Sequence, residues 1–329
     1  MLDQVLEKMQ AQKAEGVNVV PHSINLSRSD FETCDIVEEV RMRVDAAGIE
    51  RKMISVEITE SVIGTNFEFM KQRIDKFREL GFPVWMDDFG SGYSSLDVLQ
   101  SVSFDLIKFD MSFTRKLDEG ENGKVILTEM MKMATSLNLD TVCEGVETLE
   151  QVRFLQEIGC SKLQGFFYSK PIPLDTIREQ IANGSRIPAE DSESAFYYEK
   201  MGRVDLYDLG LIAGVKEDSF RNAFSTLPMA VIEVNGRMSR FVRSNPSYRD
   251  FMLRFFDMDI TAMTKTFEPF SDSPFMINIV EKCARSEGST LFDEIMENGA
   301  VVHSFARKIC TNPTNGCQAI AVAVLYISD

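Results

Sequence analysis

Asn25, Glu57, Asp87, Asp88, Asp110, Glu144 and Gln164 recur along the first half of the chain, closing successive short apolar runs rich in Val, Ile and Phe. From Asn25 through Glu57, Asp87, Asp110 and Glu144 to Gln164 the intervals are 32, 30, 23, 34 and 20 residues. Each interval is about the length of one strand plus one returning helix. The side-chain types say what such a series can do. Carboxylates and amides are hard oxygen donors, and several carboxylates in one cleft stay ionised only with cations between them. A single strand-end acid reads as a solvated helix cap. Glu57, Asp87, Asp88 and Glu144 taken together predict a metal site. Six scattered cysteines without a CxxC pair, and only His22 and His303, argue against zinc or a disulfide framework. Lys108 stands between Asp105 and Asp110 on an apolar strand, which predicts a buried lysine with an acidic partner.

These groups can meet only if parallel strands deliver them to one face of a sheet or barrel. The pattern supplies such strands. An amino-terminal helix stops at Gly16, a strand runs to Asn25, and Phe31 to Ala47 has helical spacing. MISVEITE, FPVWMDDF, FDLIKFD, DTVCEGV and KLQGFFYSKP follow as strands, separated by the helical runs FEFMKQRIDKFREL, SSLDVLQSV, KVILTEMMKMATSLN and LEQVRFLQEIG. Six strand and helix alternations predict an α/β fold, a TIM-type (β/α) barrel or open parallel sheet two units short of eight.

At 329 residues, 44% hydrophobic and 26% charged, the chain has material for two domains. The expected division is a barrel domain over 1–183, a polar linker over 184–214 and an α+β domain over 215–329. The last part reads as helix (DSFRNAFSTL), strand (PMAVIEVNG), helix (NPSYRDFMLRFF) and two strands, SFARKICT and QAIAVAVLYI, about the turn NPTNG. A net charge of −16 argues against binding DNA or an anionic membrane, so a phosphate-bearing ligand should be held through cations. No apolar run approaches the roughly 20 residues that cross a bilayer, and no signal-peptide pattern opens the chain, which leads to the expectation of a cytoplasmic protein.

The segments INLS (24–27), VEITES (56–61), DDFGSGYSSL (87–96), DLIKFD (105–110), CEGVET (143–148) and LQGFFYSKPIP (163–173) together resemble the EAL domain. That bacterial barrel hydrolyses cyclic di-GMP. The resemblance covers roughly residues 1–180 and implies opening of the cyclic dinucleotide to linear pGpG with two Mg²⁺ or Mn²⁺ ions. Asn25, Glu57 and Asp87 match ligands of the first metal. The resemblance further implies that Asp87 bridges to the second metal, which would also take Asp88 and Glu144. Lys108 matches a catalytic lysine that orients the water, Asp110 a residue holding that lysine, and Gln164 a further active-site position. The GSGYSS loop, anchored by Glu60, is implied to couple the site to dimerisation. The chain departs from the family in lacking the Glu-Ala-Leu tripeptide, which in relatives lies farther upstream than the 24 residues that precede Asn25 here. The expectation is therefore of an upstream segment carrying two strands and a helix, and of a non-hydrolysing cyclic di-GMP receptor or protein-interaction module as the alternative function. FSTLPMAVIEVNG, SNPSYRDFM and AIAVAVLYISD resemble, more loosely, a PAS sensor module. The two resemblances together imply a homodimer through both domains, with the PAS ligand unspecified.

Overall fold

A computed structural model of the chain describes all residues except 17–18, 65, 91–94, 174–175, 178, 181–182, 184–191, 207–226, 261–266, 270–276, 278–282, 284–288, 297–298 and 329. It forms two compact units, Met1–Gln151 with Lys162–Ala189, and Val152–Ser161 with Glu190–Asp329.

The first unit alternates strand and helix. Its elements are α1 (Leu2–Ala14), β1 (His22–Asn25), α2 (Arg28–Thr33), α3 (Ile36–Ala46), β2 (Ile54–Thr59), α4 (Glu60–Ile63), α5 (Phe67–Glu79), β3 (Val84–Phe89) and α6 (Ser95–Ser101). After them come β4 (Leu106–Phe109), α7 (Met111–Lys116), α8 (Glu121–Ser136), β5 (Asp140–Cys143), α9 (Leu149–Glu157), whose residues from Val152 onward belong to the second unit, and β6 (Lys162–Leu163). The strands lie side by side in chain order, β1 to β6, in one wholly parallel sheet. Five consecutive residues of β2, Ile54 to Ile58, are buried, as expected where both faces of a parallel strand are covered. The helices turn apolar stripes inward, Val37, Val40 and Val44 from α3, and Met70, Ile74 and Phe77 from α5. Gly81, at φ +88, ends the turn after α5 in the left-handed region and lets Phe82 N–H close back on Phe77 O at 3.0 Å.

Two expectations change. The helix expected over Phe31 to Ala47 is two helices, because the Asp30 carboxylate accepts from Ser27 N–H at 2.7 Å, starting α2 early, and Cys34 is extended before α3. The last strand is shorter than its apolar run. Only Lys162–Leu163 pair with β5, after which Phe167 N–H donates to Val146 O at 3.0 Å and Tyr168 N–H to Gly165 O at 3.1 Å, folding the segment into a turn.

The second unit holds α10 (Ser192–Gly202), β7 (Met229–Asn235), β8 (Met238–Ser244), α11 (Pro246–Phe256), β9 (Glu268–Pro269), β10 (Ser289–Ile295), β11 (Val301–Thr311) and β12 (Gln318–Ser328). Its sheet is antiparallel with the order β10-β11-β12-β7-β8-β9. One core joins Ile232, Val234, Val302 and Val322 to Tyr248 and Phe251 of α11; a second joins Val231, Phe305 and Ala321 to Tyr197 and Met201 of α10. The strands at β7, β11 and β12 and the helix α11 fall where the sequence pattern puts them. The hairpin to β8 escaped that pattern, although Asn235-Gly236 is its signal and Gly236 takes φ +61. Part of the stretch expected as linker is helix: α10 buries Tyr197, whose hydroxyl donates to Glu233 Oε1 at 2.7 Å. The helix expected over 218–227 lies, but for Leu227, outside the described residues. Among the described residues no helix is long and apolar enough to cross a membrane.

Candidate metal centre

Register brings the acidic strand ends together. Asn25 aligns with Glu57 across β1 and β2, and Thr59 with Asp87 across β2 and β3. Side chains of aligned residues in a parallel pair share a face, so Asn25 and Glu57 project to one side. Consecutive residues such as Asp87 and Asp88 should then point to opposite faces. The pairing of β3 with β4 removes that conflict. Met86 aligns with Ile107 but Phe89 with Phe109, so β3 carries one extra residue, and Asp88 adopts φ +54. This β-bulge breaks the alternation. As a result Asp87, Asp88 and Glu144 each offer a carboxylate oxygen within 4.8 Å of the others.

Lys108, the inward residue of β4, sits at the centre. Its Nζ donates to Asp87 Oδ1 at 2.8 Å and to Glu57 Oε2 at 3.0 Å, and pairs with Glu144 Oε1 at 2.8 Å. The four side chains are 6–20% exposed. Burial by itself would lower the pKa of the ammonium, but the hydrogen bonds to Asp87 and Glu144 and the charge of Glu57 outweigh it and raise the pKa well above the usual lysine value. Asp88 is pushed above the ordinary carboxylate value, first by burial and then by the negative charges of Asp87 and Asp110.

The remaining sequence-derived residues are placed as follows. Asp110, expected to hold Lys108, instead caps α7, its Oδ1 accepting from Ser112 N–H at 2.9 Å. Burial pushes its carboxyl up, and the hydrogen bonds from Ser112 and Met111 more than compensate, leaving it below the ordinary value. Asp105 turns away from Lys108 to bind Arg78 and Val84 N–H. Asn25 and Gln164 are exposed on the two edges of the sheet, outside the hydrogen bonds of the Lys108 cluster. Glu60 is buried at the start of α4, and loop residues 91–94 that it was expected to anchor lie outside the described residues.

Two supports went unread in the sequence. Thr114, fully buried in α7, places its Oγ1 2.7 Å from Glu144 O and so fixes the backbone that carries this acid. Gly165 lies flush against the main chain of Val146: a Cβ there would come within 2.1 Å of Val146 O. The glycine in LQGFF was the only available signal. The cluster fits hard divalent cations. Its donors are carboxylate oxygens, gathered closely enough to share an ion, with neither thiol nor imidazole among them.

Residues 1–171 match the model of the EAL domain, more than half of the chain. The chain belongs to the EAL domain family. Cyclic di-GMP phosphodiesterase NbdA of Pseudomonas aeruginosa is 34% identical over 157 residues, 48% of this chain and 20% of that protein. Among solved structures, the EAL domain of Mycobacterium smegmatis DcpA has a TM-score of 0.51 at 33% identity, covering 56% of this chain and 83% of that one. The PaMucR phosphodiesterase in its c-di-GMP complex has a TM-score of 0.50 at 30% identity, covering 54% and 71%. The chain spans about a fifth to a quarter of the length of the curated relatives it matches. Its homologues thus include cyclic di-GMP phosphodiesterases, and its six-strand parallel sheet with flanking helices matches these EAL structures.

Proposed function

We propose that the EAL domain of this chain binds cyclic di-GMP and hydrolyses one of its phosphodiesters to linear pGpG in a reaction dependent on Mg²⁺ or Mn²⁺. The observation that carries this reading is the meeting of Glu57, Asp87 and Glu144 around Lys108, with Asp88 turned to the same side by the bulge. Asn25, Glu57, Asp87, Asp88 and Glu144 would hold two cations. Such a pair, when bound, lowers the pKa of a water and neutralises phosphate oxygens.

Lys108 has a different task from a base. Its raised pKa keeps it protonated at neutral pH, so it supplies a fixed positive charge and N–H donors where negative charge grows on the phosphate. Three carboxylates gather around its ammonium at the mouth of the sheet. Asp110 fixes the turn out of β4 through its cap on α7. Gln164 presents an exposed amide at the end of β6, a donor and acceptor suited to a nucleotide.

Purified protein with Mg²⁺ or Mn²⁺ should convert cyclic di-GMP to pGpG by chromatography, and Asp88→Ala should abolish turnover. Unchanged turnover in that variant refutes the assignment. The alternative is a receptor or protein-interaction module that holds cyclic di-GMP without hydrolysing it. Calorimetric binding in Ca²⁺ with no pGpG in any metal selects that second reading. For residues 215–329 we propose a PAS-like sensor or dimerisation domain. This is supported by an antiparallel sheet whose first and last long strands, β7 and β12, lie at its centre with α11 against one face. A cytoplasmic homodimer is the state in which we expect both units to act.

A further inference from the structure

Glu57, Asp87, Asp88 and Glu144 bring four negative charges to one mouth of the sheet, and Lys108 brings one positive charge into their midst. The ammonium engages one oxygen from each of Glu57, Asp87 and Glu144. Asp87 Oδ1 is used twice, since it also accepts from Asp88 N–H at 3.0 Å. Of the four acids, Asp88 alone stands outside the ammonium's hydrogen-bond set.

We propose that Lys108 is a built-in cation that weakens divalent metal binding at this site, so that metal affinity is set by competition between its ammonium and the metal for the same three carboxylates. The inference rests on the metal-dependent reading above and deepens it. Its sign follows from electrostatics. A divalent ion drawn to these acids must share them with a positive group already within 3.0 Å of each. At 9% exposure the lysine side chain is poorly screened by water, and repulsion between cations is far stronger in such a setting than in bulk solvent. Nor can the ammonium simply retreat. Lys108 lies in the middle of β4, where Leu106, Ile107 and Phe109 are all buried, so the strand holds its side chain at the mouth. The counter-effect, alignment of the carboxylates by the lysine, would act in the opposite direction. The measurement separates them.

The test is calorimetric titration of the full chain with MnCl₂, comparing the native protein with Lys108→Met, which keeps the length and apolar stem, and Lys108→Arg, which keeps the charge. Lys108→Met is expected to bind Mn²⁺ at least about tenfold more tightly, roughly 1.4 kcal/mol. Lys108→Arg should stay within about threefold of native. If Mn²⁺ binds the native protein and Lys108→Met equally, or the variant more weakly, the competition is refuted while the metal site stands. Equal tightening in Lys108→Arg also refutes it, because charge is then not the cause. If neither native protein nor variant binds Mn²⁺, the metal reading and this inference fall together. A second measurement needs no variant. In ¹⁵N-lysine-labelled native protein the buried ammonium should give a protected Nζ–H signal that shifts or vanishes as Mg²⁺ saturates the site; a signal unmoved at saturation refutes the proposal even if Lys108→Met fails to fold.

Discussion

Replacing Gly165 by alanine should unsettle the first unit well out of proportion to one methyl group. A Cβ at this position would lie 2.1 Å from Val146 O, 2.3 Å from Val146 N and 2.7 Å from Val146 C, all main-chain atoms with no rotamer through which to escape. Relief requires moving the turn after β6 away from the segment after β5. That movement strains two hydrogen bonds, Val146 N–H to Gln164 O at 3.1 Å and Phe167 N–H to Val146 O at 3.0 Å. Overpacking costs about 1–3 kcal/mol, and each weakened hydrogen bond costs about 1 kcal/mol, giving roughly 3–5 kcal/mol together. For a unit of this size the melting temperature falls about 2–4 °C per kcal/mol, so a drop of roughly 6–20 °C is expected by calorimetry. Gly90→Ala is the informative contrast. Its Cβ would meet the Phe113 ring at 2.4 Å, but a ring can swing aside, leaving chiefly the strain of φ +88, about 1–3 kcal/mol. A Gly165→Ala protein melting within about 2 °C of native would refute the steric argument.

Asn245 is buried where α11 begins; its Oδ1 accepts from Tyr248 N–H and Met229 N–H, and its Nδ2 donates to Leu206 O and Leu227 O. Asn245→Ala should cost about 3 kcal/mol in urea unfolding of the second unit, from the lost cap and stranded main-chain groups. Asn245→Asp, which keeps the acceptors, should fall between the two, and equal midpoints for all three proteins would refute the capping role. Because its folded pKa is depressed below 3.8, the cap of Asp110 on α7 is fully present above the unfolded value and is lost as pH falls through the folded one. The stability gap between native protein and Asp110→Ala should hold from pH 7 to about 4 and shrink below that. A gap that widens on acidification would overturn the assignment.

Much of the first unit was legible because its signals are local. Gly16 and Gly81 punctuate helices, apolar runs of four to six residues mark buried strands, and hard-oxygen side chains at their ends announce cation chemistry whatever the fold. The residue types at Glu57, Asp87, Asp88, Lys108 and Glu144 were likewise readable in one dimension. Elements read least well where the chain's path depends on distant backbone. The turn after Leu163 is set by Val146, and the helix within 192–202 by burial of Tyr197 against Glu233.

Sequence alone therefore determined which chemical groups the protein possesses, the strand and helix alternation of its first unit, and that acids must share cations or neutralise. Tertiary structure decided which acids meet. A strand's side chains alternate, and only a register shift between β3 and β4, with Asp88 in a left-handed conformation, turns two neighbouring aspartates toward one point. It also gave Lys108 three partners from β2, β3 and the end of β5 while sending Asp105 and Asp110 elsewhere. Such choices rest on hydrogen-bond registers between residues twenty or more positions apart, where no local propensity distinguishes one acid from its neighbour.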